Sequence, residues 1–205
     1  MHALIIVDIQ NDFVPGGALA VPGGDEIIPV VNELQKSFSL IVATQDWHPA
    51  HHKSFASSHP GNKVFEKISL HGLDQVLWPD HCVQGTAGAE LHNDLNLKKV
   101  EAIFRKGMDP DIDSYSGFYD NGYRKSTGLA GYLRERKVRK IYVAGLASDY
   151  CVFYTAKDAI KENFETFIIE DASRAINPDG FEKAKDEILS SGGQIINTEG
   201  FYRHL

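Results

Sequence analysis

The sequence predicts an α/β fold: a doubly wound, mostly parallel sheet flanked by helices in three layers. Three observations carry that prediction. Short apolar, β-branched runs recur along the chain, most of them end in a polar or charged residue, and amphipathic helical patterns lie between several of them. Continuous apolar runs of this length suit strands covered on both faces, the condition of a strand in a parallel sheet.

The runs are "ALIIVD" at 3–8, "LIVATQD" at 40–46, "AIFRK" at 102–106, "IYVAGL" at 141–146, "TFIIED" at 166–171 and "QIINT" at 194–198. After the first, "GDEIIPVVNELQKSF" has apolar positions at helical spacing, an aspartate suited to an N-cap in Asp25, and Pro29 in its early part. "TGLAGYLRERK" precedes the fourth run and "SDYCVFYTAKDAIKEN" follows it. "PDGFEKAKDEILSS" precedes the last, and these two later helices open on a capping serine and an N1 proline. Residues 47–99 and 107–126 break the alternation. Rich in Gly, Pro, Asp, His and aromatics, they read as long functional loops.

At 205 residues, with no linker-like stretch, change of composition or internal repeat, the chain is expected to form a single domain, 1–205. Hydrophobic and charged fractions of 42% and 24% exclude disorder and low complexity as its character. A net charge of -7 argues against nucleic acid or an anionic membrane as partner, and the basic stretch "RERKVRK" reads as a solvated helix end. The apolar N-terminus is interrupted by Asp8 and lacks a basic leader, and no later run reaches membrane-spanning length. Two distant cysteines in unlike contexts form no disulfide framework, so a reducing, cytoplasmic setting is expected.

In such sheets ligands bind at the carboxyl ends of the strands. Asp8, Asp46 and Lys106 end the first three runs, and Cys151 sits in the first turn of the helix after the fourth. All four are therefore expected on one rim. A cysteine attacks as its thiolate; a helix N-terminus would lower the Cys151 pKa, Asp8 could take its proton and Lys106 could stabilise the anion. Each residue alone has an ordinary explanation, a buried small side chain, a turn cap or a surface lysine. Their joint placement is what points to nucleophilic catalysis. Gly145 and Ala147 make a tight turn beside Cys151, where backbone N–H groups could face a developing oxyanion.

The stretch "QDWHPAHHKSF" offers Asp46 and His48 two positions apart, and "LWPDHCVQGT" adds His81 on a later loop. An Asp-His-His set with open positions suits a catalytic Zn²⁺, with Fe²⁺ or Mn²⁺ as alternatives. His51 and His52 compete for the role but read as exposed loop residues. His2, His59, His71, His92 and His204 show no ligand spacing.

Six segments in order, "LIIVDIQNDF", "GGALAVPGGD", "ATQDWHPAHHKSFASSHPG", "WPDHCVQGTAGAELH", "RKGMDPDIDSYSGF" and "VAGLASDYCV", span nearly the whole chain. With them the sequence resembles the isochorismatase-like cysteine hydrolases, a Rossmann-like three-layer family, and within it the nicotinamidase/pyrazinamidase branch. The resemblance implies an Asp8-Lys106-Cys151 triad, metal ligation by Asp46, His48 and His81, and a cis bond between Leu146 and Ala147. It implies that the N–H groups of Ala147 and Cys151 form the oxyanion hole. Phe13, Trp78 and Tyr115 are implied around the substrate ring, and Gln10, near the catalytic aspartate, as a fourth substrate-binding residue. Whether His52 or Ser54 adds a ligand stays open.

The implied reaction is hydrolysis of nicotinamide, a small-molecule substrate, with a divalent metal and no organic cofactor; homo-oligomerisation is left open. Another amidase or isochorismatase-type hydrolase is the alternative within the family, and a catalytically silent binding module the alternative outside enzymes.

Overall fold

In the computed structural model, which describes residues 1–203, the six predicted runs pair into one parallel sheet. The strands are β1 (His2–Val7), β2 (Ile41–Asp46), β5 (Val100–Lys106), β6 (Lys140–Leu146), β7 (Glu165–Arg174) and β8 (Gln194–Ile196). Their spatial order is β5-β2-β1-β6-β7-β8. The chain winds outward from β1 in one direction and from β6 in the other, so the order reverses between β1 and β6.

Alternate residues feed two cores. Leu4, Ile6, Ala43, Tyr142 and Ile169 face one side with α1 (Ile27–Leu34) and α5 (Thr198–Arg203). Ile5, Val7, Val42, Val143 and Ile168 face the other with α2 (Leu129–Glu135), α3 (Phe153–Lys161) and α4 (Pro178–Ser190). Burial on both faces is why the central runs are continuously apolar. β5, at an edge, alternates half-buried and exposed residues instead, and only its last residue, Lys106, is buried.

Register sets the rim. Asp46 pairs with Lys106 across β2 and β5, and Val7 pairs with Gly145 across β1 and β6. Asp8 therefore leaves β1 where Leu146 and Ala147 leave β6. Gly145 is required there: at φ +132° an added Cβ would lie 2.1 Å from the Val7 carbonyl oxygen. Without a side chain, β6 can close on β1 at the reversal point.

Several expectations need correction. The 47–99 interval is not all loop, since β3 (Lys67–Leu70) and β4 (Leu73–Val76) form an antiparallel hairpin. The last strand stops at Ile196, and Thr198 opens α5. Asp25 does not cap α1, whose N-cap position is Glu26, without a side-chain bond. Ser148 is no cap either, for its buried hydroxyl has no partner. Asn177 does cap α4, accepting from the N–H groups of Asp179 and Gly180, with Pro178 at the first helical position. Among the described residues no helix is long and apolar enough to cross a membrane; His204 lies outside them.

Candidate active site

Asp8, Lys106 and Cys151 meet at the rim beyond β1, β5 and β6. Lys106 is buried, and its ammonium lies 2.9 Å from Asp8 Oδ2, 2.9 Å from Asp46 Oδ1, 3.0 Å from the Ser114 carbonyl oxygen and 3.5 Å from Cys151 Sγ. An ammonium has three donors. Four acceptors surround them, with Asp8 and Asp46 the equally close charged ones and Cys151 Sγ the most distant. Asp8 Oδ1 accepts from the Thr44 hydroxyl at 2.6 Å.

Burial dominates the electrostatics. It pushes the Asp8 carboxyl above its ordinary range, against the opposing pull of Lys106. Burial also pushes the Cys151 thiol well up, again opposed by Lys106 and reinforced by Asp8 and Asp46. This reverses the expectation of a lowered Cys151 pKa. Cys151 lies in a widened helical turn, Ser148–Val152, ahead of α3, and desolvation is the largest influence on its thiol. Burial likewise works against the Lys106 charge, but Asp46 and Asp8 outweigh it and hold Lys106 well above its ordinary value.

Asp46, His48 and His81 converge beside this cluster, all buried, with potential ligand atoms within 4.8 Å of one another. His48 Nε2 stands 3.1 Å and His81 Nε2 3.5 Å from Asp46 Oδ2. The other ring nitrogens face carbonyl oxygens: His48 Nδ1 lies 2.9 Å from Gly107 O and His81 Nδ1 2.7 Å from Pro79 O. A carbonyl only accepts, so each Nδ1 carries a proton and each Nε2 is the atom turned toward the Asp46 carboxylate. Two Nε2 atoms and a carboxylate oxygen converging on one point, with the far ring nitrogens held by carbonyls, are the usual support of ligating histidines. The set fits a divalent metal. Gly107 makes room for it, since a Cβ there would lie 2.5 Å from His48 Cε1.

His51 is exposed, as expected, but His52 is fully buried. Its Nδ1 accepts from the Ser54 N–H at 3.1 Å and lies 2.8 Å from Ser54 Oγ, so the Ser54 hydroxyl is engaged with His52. His52 also belongs with His48 and Asp113 to a second buried group of ligand-type side chains.

The cluster opens on a narrow cavity walled by Phe13, Trp78 and Tyr115 and reaching Asp46, His81, Ala147 and Cys151. The Trp78 and Tyr115 rings meet edge to face at 6.2 Å, and the Trp78 indole N–H donates to the Tyr115 hydroxyl at 3.3 Å. The Leu146–Ala147 bond is cis. Gln10 departs from its expected place at the substrate. Its amide donates to Asp46 O and Ala89 O and accepts from the Asp46 N–H, so it clamps the backbone of β2's end and does not line the cavity.

An isochorismatase domain model matches residues 2–200. The chain belongs to the isochorismatase family. It is 51% identical over 197 residues to a nicotinamidase of Acinetobacter baylyi, covering 96% of this chain and 92% of that one. A solved nicotinamidase/pyrazinamidase of Acinetobacter baumanii superposes with a TM-score of 0.95 at 47% identity, over 98% of this chain and 97% of the other. A pyrazinamidase of Pyrococcus horikoshii, solved in complex with zinc, superposes at 0.79 with 42% identity, over 96% and 98% of the two chains.

Within this isochorismatase-family site, four cavity-lining residues had no place among the expected ones: Leu19, Asp113, Tyr150 and Ile176. Tyr150 directly precedes Cys151, so its place was within reach of the sequence. Asp113 is one of three alternating acids in "DPDID", and nothing in the spacing tells that it is the buried one. Leu19 and Ile176 are lone aliphatics in loops, without a periodic pattern to mark them.

Proposed function

We propose that this chain is a nicotinamidase that hydrolyses nicotinamide to nicotinate and ammonia and also accepts pyrazinamide. In the same reading it is one cytoplasmic domain, residues 1–205, serving NAD salvage. The observation that carries the proposal is the Asp8-Lys106-Cys151 cluster opening on a ring-lined cavity, in a chain half identical to a nicotinamidase.

Asp8 takes the Cys151 proton as Sγ attacks the carboxamide carbon. Burial raises both acids, so the proton moves between partners that both favour their neutral forms, and the Lys106 charge stabilises the anion in either place. The N–H groups of Ala147 and Cys151 receive the oxyanion. Asp8 then gives its proton to the departing ammonia, and water, deprotonated by Asp8, cleaves the thioester. Phe13, Trp78 and Tyr115 hold the ring in register with Sγ.

Asp46, His48 and His81 would hold a divalent metal, zinc first and iron or manganese as alternatives. When bound, it supplies a Lewis-acid contact for the ring nitrogen and helps to position water. No organic cofactor enters this scheme, and no nucleic acid or membrane partner is part of it.

The test is ammonia release from nicotinamide by purified protein, before and after chelation and zinc add-back, beside Cys151→Ala. The expected result is release that chelation abolishes, zinc restores and Cys151→Ala lowers by roughly 10³-fold or more. Substantial turnover by Cys151→Ala would overturn the mechanism. Indifference to chelation would remove the metal from it.

A further inference from the structure

Asp149 stands two residues before Cys151, in the same widened turn. Its carboxylate receives two consecutive backbone N–H groups: Ile176 donates to Oδ1 at 3.0 Å and Asn177 to Oδ2 at 2.9 Å. Bonds to an ionised acceptor are the strong kind, and two of them fix both position and direction.

These two residues belong to the three-residue link between β7, ending at Arg174, and α4, starting at Pro178. Pro178 has no N–H, and the Asn177 side chain is occupied in capping α4. Ile176 is half-buried and lines the cavity together with Phe13 and Leu19. One carboxylate thus joins the turn carrying the nucleophile to a wall of the cavity the substrate must enter.

We infer that Asp149 is a positioning residue that sets the distance between Ile176 and Cys151, and through it the size of ring the cavity accepts. The inference rests on the functional reading above. Asp149 does not itself line the cavity; its two bonds reach the lining through the backbone of the link that carries Ile176. If Asn replaces Asp149, an amide NH₂ faces one of the two N–H groups. Donor then meets donor, and the link carrying Ile176 moves away.

The experiment compares kcat/KM for nicotinamide with that for each of its ring-methyl isomers, in wild type, Ile176→Ala, Asp149→Asn and the double variant. Each ratio is internal to one preparation, so the folded fraction cancels; Asp149→Ser replaces the Asn protein should that be insoluble. Ile176→Ala is expected to raise the relative rate of at least one methylated amide about tenfold, the usual worth of a methyl group in a pocket. Asp149→Asn is expected to raise the same ratio severalfold, and the double variant no further than Ile176→Ala alone. Ratios unchanged in Asp149→Asn or in Ile176→Ala would overturn the inference. So would a double variant whose effect is the product of the single ones, because the residues would then act independently. A wild type that leaves nicotinamide intact would overturn the functional reading and this inference with it.

Discussion

Lys106 holds its ammonium 2.9 Å from one oxygen of Asp8 and 3.5 Å from Cys151 Sγ, so the base and the thiol share one positive charge. That charge favours the anion on whichever of the two has lost the proton. The Thr44 hydroxyl on the other oxygen favours the ionised carboxylate and partly offsets burial. Thr44→Val removes that bond, so the Asp8 pKa, already raised, rises further. Since the reaction needs Asp8 ionised, the acid limb of the kcat/KM profile is expected to move to higher pH, with the rate on the plateau kept within about tenfold. The limb reports Asp8 and Cys151 as a pair, and a profile that stays in place would deny Asp8 the role of base. The acids and the lysine at strand ends were legible because a strand's last residue is fixed by where its apolar run stops. The upward shift of Cys151 was not, because burial of a thiol depends on residues distant in sequence.

β1 and β6 bring Asp8 and Ala147 side by side, and Gly145 is what allows their close approach. Gly145→Ala puts a Cβ 2.1 Å from a backbone oxygen that has no rotamer by which to escape. The expected loss is more than about 3 kcal/mol in urea unfolding, from a strained φ and a backbone clash together. A loss under about 1 kcal/mol would mean that the two strands can part without harm, and the tight junction would then not be what aligns the site. Each of the six main runs was legible as a strand, since burial on both faces leaves a continuous apolar signature. The β3–β4 hairpin was not, because "KISLHGLDQV" is only partly buried and was absorbed into a polar interval. Its turn was nonetheless written in the chain: His71 and Gly72 both take positive φ, the requirement of a two-residue hairpin loop. α5 was missed because six residues are too few to show a helical period against the end of β8.

Across the whole molecule, the Asp46-His48-His81 set joins segments that no strand pairing connects directly. Asp46 ends β2, His48 begins the following loop, and His81 comes from the stretch after β4, tied to His48 through the Cys82 carbonyl and the Gln84 N–H. With each Nδ1 held by a carbonyl, both Nε2 atoms converge on the Asp46 carboxylate, the arrangement that a bound cation would complete. The metal should therefore stabilise the fold as well as serve the reaction. Binding to the native state alone contributes RT ln(1 + [L]/Kd), about 2.7 kcal/mol at a hundredfold excess over Kd. In a chain of this size each kcal/mol moves the midpoint by roughly 2–4 °C, so zinc added to chelated protein should raise Tm by about 5–10 °C. His81→Ala removes one ligand, so the variant should lose most of the zinc-dependent rise while its metal-free Tm falls little. A zinc response that survives His81→Ala would place the stabilising ion elsewhere. The second buried group of His48, His52 and Asp113 would then be the next place to substitute.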